Sequence, residues 1–341
     1  MTFGERLKSY GFDLYVVLLL ATVGLATILP ARGAFVGIVG VATDAGIALL
    51  FFLYGARLDT SSIIAGISNW RLQLMVLATT FVVFPVIGLM MGKLAEPWLG
   101  PEVTVGLVYL SLLPSTVQSS IAFTSIAQGN VPAAVCAASA SNLLGVFLTP
   151  VLVGVLLHAG GNNGFDGKAI IDIGEQILLP FVVGQLARPF VGGWIKGHPK
   201  LTRVVDRGSI LLIVYSAFSA GVVAGIWSQV DRTALVLIVV LDTLMLAIAL
   251  LFTRGVGRLA RLSYEDSMVL LFCGSKKSLA SGLPMANILF AGRPVGIIVL
   301  PLMLFHQIQL FVCAVIAQRQ GHRLMMEARV RQETRLEEKP A

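Results

Sequence analysis

Two polar stretches interrupt otherwise apolar parts of the chain: Leu113-Pro114-Ser115-Thr116-Val117-Gln118-Ser119-Ser120 and Cys273-Gly274-Ser275-Lys276-Lys277-Ser278-Leu279-Ala280. Each contains a residue that breaks a helix, Pro114 in the first stretch and Gly274 in the second. These two residues lie 160 positions apart, a little under half the chain. Interruptions at corresponding positions of two halves predict a chain built from two structural repeats whose broken segments meet.

The composition is typical of a membrane protein. Hydrophobic residues make up 56% of the 341 residues, charged residues only 13%, and the mean hydropathy is +0.87. Apolar stretches of the roughly 20 residues that are needed to cross a bilayer recur along the whole chain. We therefore predict an all-α polytopic membrane protein. Its ten transmembrane spans are expected at 14–29, 35–55, 72–92, 103–127 (broken), 132–157, 170–190, 208–228, 234–253, 265–291 (broken) and 294–317.

The positive charges indicate the orientation of these spans. With the N-terminus inside, eighteen of the 25 Lys and Arg residues fall on the cytoplasmic side, five on the opposite side and two within the ninth span. A cytoplasmic excess of basic residues is the usual bias of membrane proteins. We expect a multi-pass protein of the inner membrane with both termini in the cytoplasm. The net charge of +7 follows from this bias and gives no reason to expect nucleic-acid binding.

The ten spans divide into two sets of five. Because five is odd, the second set enters the membrane from the opposite side, which makes the two sets inverted repeats. We place the first repeat at 1–158 and the second at 169–317, followed by a charged cytoplasmic tail at 318–341 that we expect to be solvated. In this arrangement, spans four and nine cross at their breaks.

The breaks concentrate polar groups in the middle of the membrane. The second half of each broken span begins there, so two helix N-termini, each with about half a positive charge, point at one region. Such a region favours an anion, for example a carboxylate, sulfate or phosphate. The residues expected to bind substrate or ion are polar side chains of the two breaks and of span five: Ser115, Thr116, Gln118, Ser119, Ser120, Ser139, Asn142, Ser275, Lys276, Lys277 and Ser278.

Charged residues inside membrane spans are costly and indicate function. Adjacent residues of a helix point about 100° apart, so we expect only one of the two lysines to face a cavity, and we favour Lys277. Asp44, midway along span two, is its expected salt-bridge or proton-exchange partner, whereas Asp242 is expected to lie closer to water. His306 is a further proton-relay candidate, although a hydrogen-bonded packing role is favoured.

At these residues the chain resembles the bile acid:sodium symporter superfamily, and most closely its SBF-like branch. The resemblance covers essentially the whole chain, and its strongest marks are the stretches 51–60, 129–131 and 272–284. It implies a panel domain of spans 1, 2, 6 and 7 that rocks against a core domain of spans 3–5 and 8–10. It also implies sodium-coupled uptake of a substrate through the cavity between the two domains.

The sodium ligands of the bile-acid branch are only partly present. The Ser-Asn pair that follows the first break in that branch falls on Ser119 and Ser120, and the hydroxyl positions of span five fall on Ala134 and Ala138. No Asp or Glu occurs in 267–292, so the carboxylate of span nine is missing. The serine pair remains the candidate sodium site, and we expect sodium to bind weakly or not at all. A lysine of span nine takes the place of the cation in this interpretation.

These features favour a secondary active transporter that moves a small or amphipathic organic anion by alternating access. Sodium is the one cofactor that the resemblance suggests. Two alternatives stay open: a proton-coupled or uncoupled carrier that uses a buried lysine, and a membrane regulator that does not transport. We do not expect an enzyme, because the Ser and Lys residues of the second break come with no visible oxyanion-stabilising arrangement. The absence of a GxxxxGK[ST] motif argues against an ATP-driven pump.

Overall fold

The computed structural model describes residues 14–57, 69–157, 179–223, 225 and 231–337. Within these ranges all regular structure is helical, which confirms the predicted all-α class. The predicted boundaries of the two repeats at 158 and 169 lie outside the described residues, as do positions 1–13 and the last four positions of the tail.

In its described part, the first half of the chain forms six α-helices and a short π-helical segment. They are α1 (Leu14–Ile28), α2 (Ala34–Arg57), α3 (Trp70–Ala78), the π segment (Thr79–Val83), α4 (Phe84–Ser111), α5 (Gln118–Ile126) and α6 (Val131–Leu157). The second half forms seven α-helices over its described residues. They are α7 (Leu179–Gly197), α8 (Pro199–Val223), α9 (Arg232–Leu259), α10 (Tyr264–Gly274), α11 (Leu279–Leu289), α12 (Val295–Ile298) and α13 (Leu300–Glu337).

Six helical stretches of the described chain are long and apolar enough to cross a membrane. They are Ala34–Arg57, Trp70–Ser111, Val131–Leu157, Pro199–Val223, Arg232–Leu259 and Val295–Leu324. The chain is therefore a multi-pass membrane protein, while the count of ten spans and the inverted repeat stay predictions. Helix α1 has 15 residues and the broken-span helices α5, α10 and α11 have 9, 11 and 11, so each is short of a continuous span.

A kink inside α4 separates predicted spans three and four. Gly100 adopts φ 69° and ψ 168° there, between Pro97 and Pro101. A positive φ is accessible to glycine at no steric cost, and proline removes a helical hydrogen bond. The two spans are therefore joined by a sharp turn of the backbone within the stretch Trp70–Ser111 rather than by an extended loop.

The helices pack in two groups. Helix α2 lies along α7, and α8 packs against both α1 and α2. Helices α3 to α6 and α9 to α13 pack around one another, with α10 against α3, α5, α6 and α9. The main contacts between the groups are those of α8 with α11 and α12.

Two glycines allow α2 and α7 to approach each other closely. A Cβ atom built on Gly184 would lie 2.1 Å from Phe52 O, and one built on Gly55 would lie 2.0 Å from Phe181 O. Both Phe52 O and Phe181 O are main-chain atoms, so a change of side-chain rotamer cannot relieve the clash. Small residues at such positions are the usual means by which membrane helices bring their backbones together.

We expect Gly184→Ala to destabilise the protein by about 1–3 kcal/mol, because the added methyl forces the two helices apart. Gly193→Ala is the matched control, since it lies on the same helix and a Cβ there meets nothing within 4 Å. Thermal unfolding of the purified variants in detergent measures both effects. Equal unfolding midpoints for the two variants would show that the α2–α7 contact is looser than described.

The last helix continues beyond the predicted final span. Helix α13 has 38 residues, so residues 318–337 of the predicted tail extend that helix.

Candidate functional site

The first break separates α4 from α5, and side chains of α6 bond the backbone groups that it exposes. Asn142 Nδ2 donates to Ser115 O at 2.7 Å, and Ser115 N–H donates to Ser141 Oγ at 3.0 Å. Thr149 Oγ1 donates to Leu112 O at 2.9 Å. Main-chain groups at membrane depth need such protein partners, because lipid offers none.

The second break separates α10 from α11 and is held by its own serine and by α13. Ser278 Oγ caps α11 by accepting from Ser281 N–H at 3.2 Å. Gln309, which is fully buried, bonds both main-chain groups of Lys277. Its Oε1 accepts from Lys277 N–H at 2.8 Å and its Nε2 donates to Lys277 O at 2.8 Å. The side chain of Gln309 therefore bonds the two main-chain groups of Lys277 that the break leaves without helical hydrogen-bond partners.

The two breaks are in direct contact. Ser278 N–H donates to Pro114 O at 2.9 Å, and Ser120 Oγ donates to Phe272 O at 3.0 Å. Gly274, the expected break residue, is the last residue of α10, and the non-helical segment follows it. The polar residues of both breaks thus form one cluster inside the second group of helices.

Lys277 is fully buried, and its ammonium is bound by main-chain oxygens. Nζ donates to Thr80 O, Ser111 O and Leu113 O at 2.8, 2.7 and 2.8 Å. It also lies 4.3 Å from the centroid of the Phe84 ring. The three acceptors match the three N–H groups of an ammonium. With all three donors used, no donor is left for a substrate or a carboxylate.

Lys276 is equally buried but has fewer polar partners. Its Nζ donates to Ser119 Oγ at 3.2 Å and lies 4.1 Å from the centroid of the Phe123 ring. Among the described residues, its two other ammonium hydrogens have no acceptor. Thr116 Oγ1 lies 2.8 Å from Ser119 Oγ and 3.0 Å from Ser120 Oγ. The cluster therefore contains a cation beside three neighbouring hydroxyl groups.

The remaining residues of the predicted site are placed differently. Asn142 also joins the two breaks, because its Oδ1 accepts from Ser281 Oγ at 2.9 Å. Ser275 directly follows α10, and its Oγ donates to Leu271 O of that helix. Gln118 is exposed at the start of α5, and Ser139 is half-buried on α6.

The titratable residues that the sequence singles out differ in their position relative to the lysines. Asp44 is exposed on α2, whereas both lysines are fully buried, so the described structure brings no Asp44–lysine pair together. His306 Nδ1 lies 2.9 Å from Gln309 Nε2, which fits the favoured packing role. Asp242 differs from expectation: it is 0% exposed, and neither carboxyl oxygen has a hydrogen-bond partner among the described residues.

Sequence reasoning missed several residues of the cluster. Gln309 is a polar residue inside an apolar span, three positions after His306, and that signal was available. Tyr109 OH donates to Gly282 O at 2.7 Å, and nothing in the sequence marks this contact. The carbonyl of Thr80 could not be found either, because Pro85 alone does not reveal the π-helical segment that frees this oxygen.

No group of three or more His, Cys, Asp or Glu side chains suitable for a metal ion occurs within the part of the chain that the structure describes. Ser119, one of the two expected sodium ligands, bonds the ammonium of Lys276 instead. Ser120 bonds the main chain of α10.

Comparisons with known proteins agree on the family. The SBF-like CPA transporter family matches residues 13–322. The chain is 52% identical over 311 residues to Uncharacterized protein PA2026 of Pseudomonas aeruginosa, covering 91% of this chain and 93% of that protein. It is 49% identical over 310 residues to "Putative symporter YfeH" of Escherichia coli, covering 90% and 92%.

A more distant relative carries the superfamily name. Sodium/bile acid cotransporter 7 of Rattus norvegicus is 26% identical over 320 residues, which cover 92% of each chain. The names of the Rattus norvegicus and Escherichia coli relatives describe transporters rather than enzymes. The chain is therefore a membrane protein of the SBF-like CPA transporter family, as its resemblance to the bile acid:sodium symporter superfamily predicted, and it is not an enzyme.

Proposed function

We propose that the chain is a secondary active transporter that moves a small or amphipathic organic anion across the inner membrane by alternating access. The anionic group of the substrate binds at the crossing of the broken helices, against Lys276 and the hydroxyls of Thr116, Ser119 and Ser120. The observation that carries this proposal is the ammonium of Lys276, which is fully buried yet has a single hydrogen-bond acceptor among the described residues.

The electrostatics of the cluster support an anion. Helices α5 and α11 both begin at the breaks, and their N-termini add partial positive charge to that of Lys276 and Lys277. A charge-assisted hydrogen bond contributes about 1.5–3 kcal/mol. An anionic substrate therefore supplies the acceptors and the negative charge that the surroundings of Lys276 lack.

The packing of the helices supports a rocking motion. Helices α1, α2, α7 and α8 form one group, and the broken helices lie in the other. We propose that these groups are the panel and the core, which move relative to each other and expose the crossing to either side in turn. Both termini lie in the cytoplasm in this proposal, as the distribution of basic residues indicates.

The surroundings of Ser119 favour transport that does not need sodium. The hydroxyl that would coordinate Na⁺ already accepts a hydrogen bond from an ammonium. We propose that this buried cation replaces the sodium of the superfamily, which leaves an uncoupled or proton-coupled carrier. Sodium symport remains the alternative, because relatives carry symporter and cotransporter names.

A thermal-shift screen of organic anions, run in NaCl and in KCl, tests the proposal, since a ligand of the folded state raises its stability. We expect stabilising anions that act equally in both salts. Lys276→Gln keeps a donor for Ser119 but removes the charge, and should weaken the best anion about 10- to 100-fold. The matched control is Lys93→Gln, an exposed lysine of α4, for which we expect no change.

Uptake of the best anion into proteoliposomes completes the test. If Lys276→Gln bound the anion as tightly as the wild type, Lys276 would not be part of the binding site. Stabilisation by Na⁺ over K⁺ that disappears in Ser119→Ala and Ser120→Ala would restore sodium symport. Binding without uptake by a folded, reconstituted protein would favour a non-transporting regulator.

A further inference from the structure

The ammonium of Lys277 occupies a cage of three main-chain oxygens, those of Thr80, Ser111 and Leu113, which we call the carbonyl cage. All three distances lie between 2.7 and 2.8 Å. The oxygens come from the π segment, from the end of α4 and from the first break. They belong to parts of the chain up to 197 positions away from Lys277.

The Thr80 oxygen is free for this contact because of local sequence. In the π segment, Phe84 N–H donates to Thr79 O instead of Thr80 O. The next residue, Pro85, has no N–H to donate. In a helix, Thr80 O would accept a hydrogen bond from the N–H of the residue four or five positions later, which is Phe84 or Pro85. Neither residue donates to it, so Thr80 O has no helical partner.

The break frees the other two oxygens. A continuing helix would bond Ser111 O to the N–H of Ser115, but that N–H donates to Ser141 Oγ. Leu113 O lies beyond the last residue of α4, where helix C-terminal carbonyls carry partial negative charge. The oxygens of the cage are thus polar groups that the fold leaves without main-chain partners and that a cation satisfies.

The surroundings of the cage suit a cation held out of water. Thr80, Ser111 and Leu113 are all 0% exposed. The face of Phe84 lies 4.3 Å from Nζ, and aromatic rings attract cations that approach their faces. Rings of backbone carbonyls are the means by which selectivity filters replace the hydration shell of potassium.

We propose that the carbonyl cage is a binding site for a monovalent cation of ammonium or potassium size, which the chain fills with its own lysine. The assignment is independent of the proposed transport function, which rests on Lys276. Removal of the Lys277 side chain beyond Cβ leaves the volume of a propylammonium ion, with the cage at its charged end. The emptied cage should then bind a free cation.

The test is cation-dependent thermal unfolding of Lys277→Ala in detergent. Propylammonium, ammonium and potassium chlorides are compared with sodium and tetramethylammonium chlorides at equal ionic strength. We expect the unfolding midpoint of Lys277→Ala to rise by about 3 °C or more with propylammonium, because binding to the folded state stabilises it. Ammonium and potassium should act more weakly, and tetramethylammonium, whose four methyl groups make it too large for the cage, should not act.

Three further samples make the result decisive. The wild type, whose cage is filled, and Lys93→Ala, which removes an exposed lysine and leaves the cage intact, should show no preference among the salts. Lys277→Gln places a neutral amide donor in the cage and should also show none. Recovery of folded Lys277→Ala only in propylammonium or ammonium would support the proposal. A response equal in all salts, a similar response in any control, or failure to recover Lys277→Ala in every salt would overturn it.

Discussion

Gln309→Leu should destabilise the protein by about 2–6 kcal/mol, since it leaves both the N–H and the carbonyl of Lys277 without partners at about 1–3 kcal/mol each. The glutamine is fully buried and bonds both groups at 2.8 Å. The methyl groups of leucine fill a similar volume but offer neither a donor nor an acceptor. We expect a large fall in the unfolding midpoint and in the yield of folded protein.

Gln307→Leu is the matched control for this prediction. Gln307 lies on the same helix two positions earlier, and it is half-buried. Its substitution should change the free energy of unfolding by less than about 0.5 kcal/mol, as surface and rim substitutions usually do. Similar stability of the two variants would mean that the second break keeps its shape without the glutamine.

Asp242→Leu should raise stability by about 1–3 kcal/mol, because it removes a buried polar group that lacks a partner. The carboxyl is 0% exposed, and neither oxygen has a hydrogen-bond partner among the described residues. Leucine has the same branching, with methyl groups in place of the two oxygens. The midpoint of thermal unfolding, compared with that of the wild type, measures the gain.

Asp242→Asn is the comparison for that prediction. It removes the ionisable group but keeps two buried polar atoms, so it should raise the free energy of unfolding by less than Asp242→Leu does. A loss of stability in Asp242→Leu would show that the carboxyl is bonded in the folded protein. In that case the main chain of Phe305 is the expected partner.

Much of the helical plan follows directly from the sequence. The predicted spans 132–157 and 234–253 agree closely with α6 (Val131–Leu157) and α9 (Arg232–Leu259). Long apolar stretches allow few alternatives to a helix in lipid. The polar stretches around Pro114 and Gly274 are likewise non-helical at their centres, because proline, glycine and hydroxyl side chains weaken helices where these residues cluster.

The arrangement around the lysines could not be predicted from sequence. Lys277 was the lysine expected to face a cavity, but its ammonium enters the carbonyl cage, and Lys276 has the free donors. Periodicity places two adjacent residues about 100° apart and does not say which neighbour each meets. That choice depends on Thr80 O and on Gln309, residues that lie far away along the chain.

The carbonyl cage also gives the protein a fixed charge within the electric field of the membrane. The ammonium of Lys277 is fully buried and bonded only to neutral main-chain oxygens. Moving one elementary charge across the whole membrane changes the energy by about 2.3 kcal/mol per 100 mV. Any displacement of the crossing along the membrane normal therefore transfers charge even when no substrate is bound. In the proposed rocking motion, the membrane potential would therefore favour the conformation in which the crossing lies nearer the negative side.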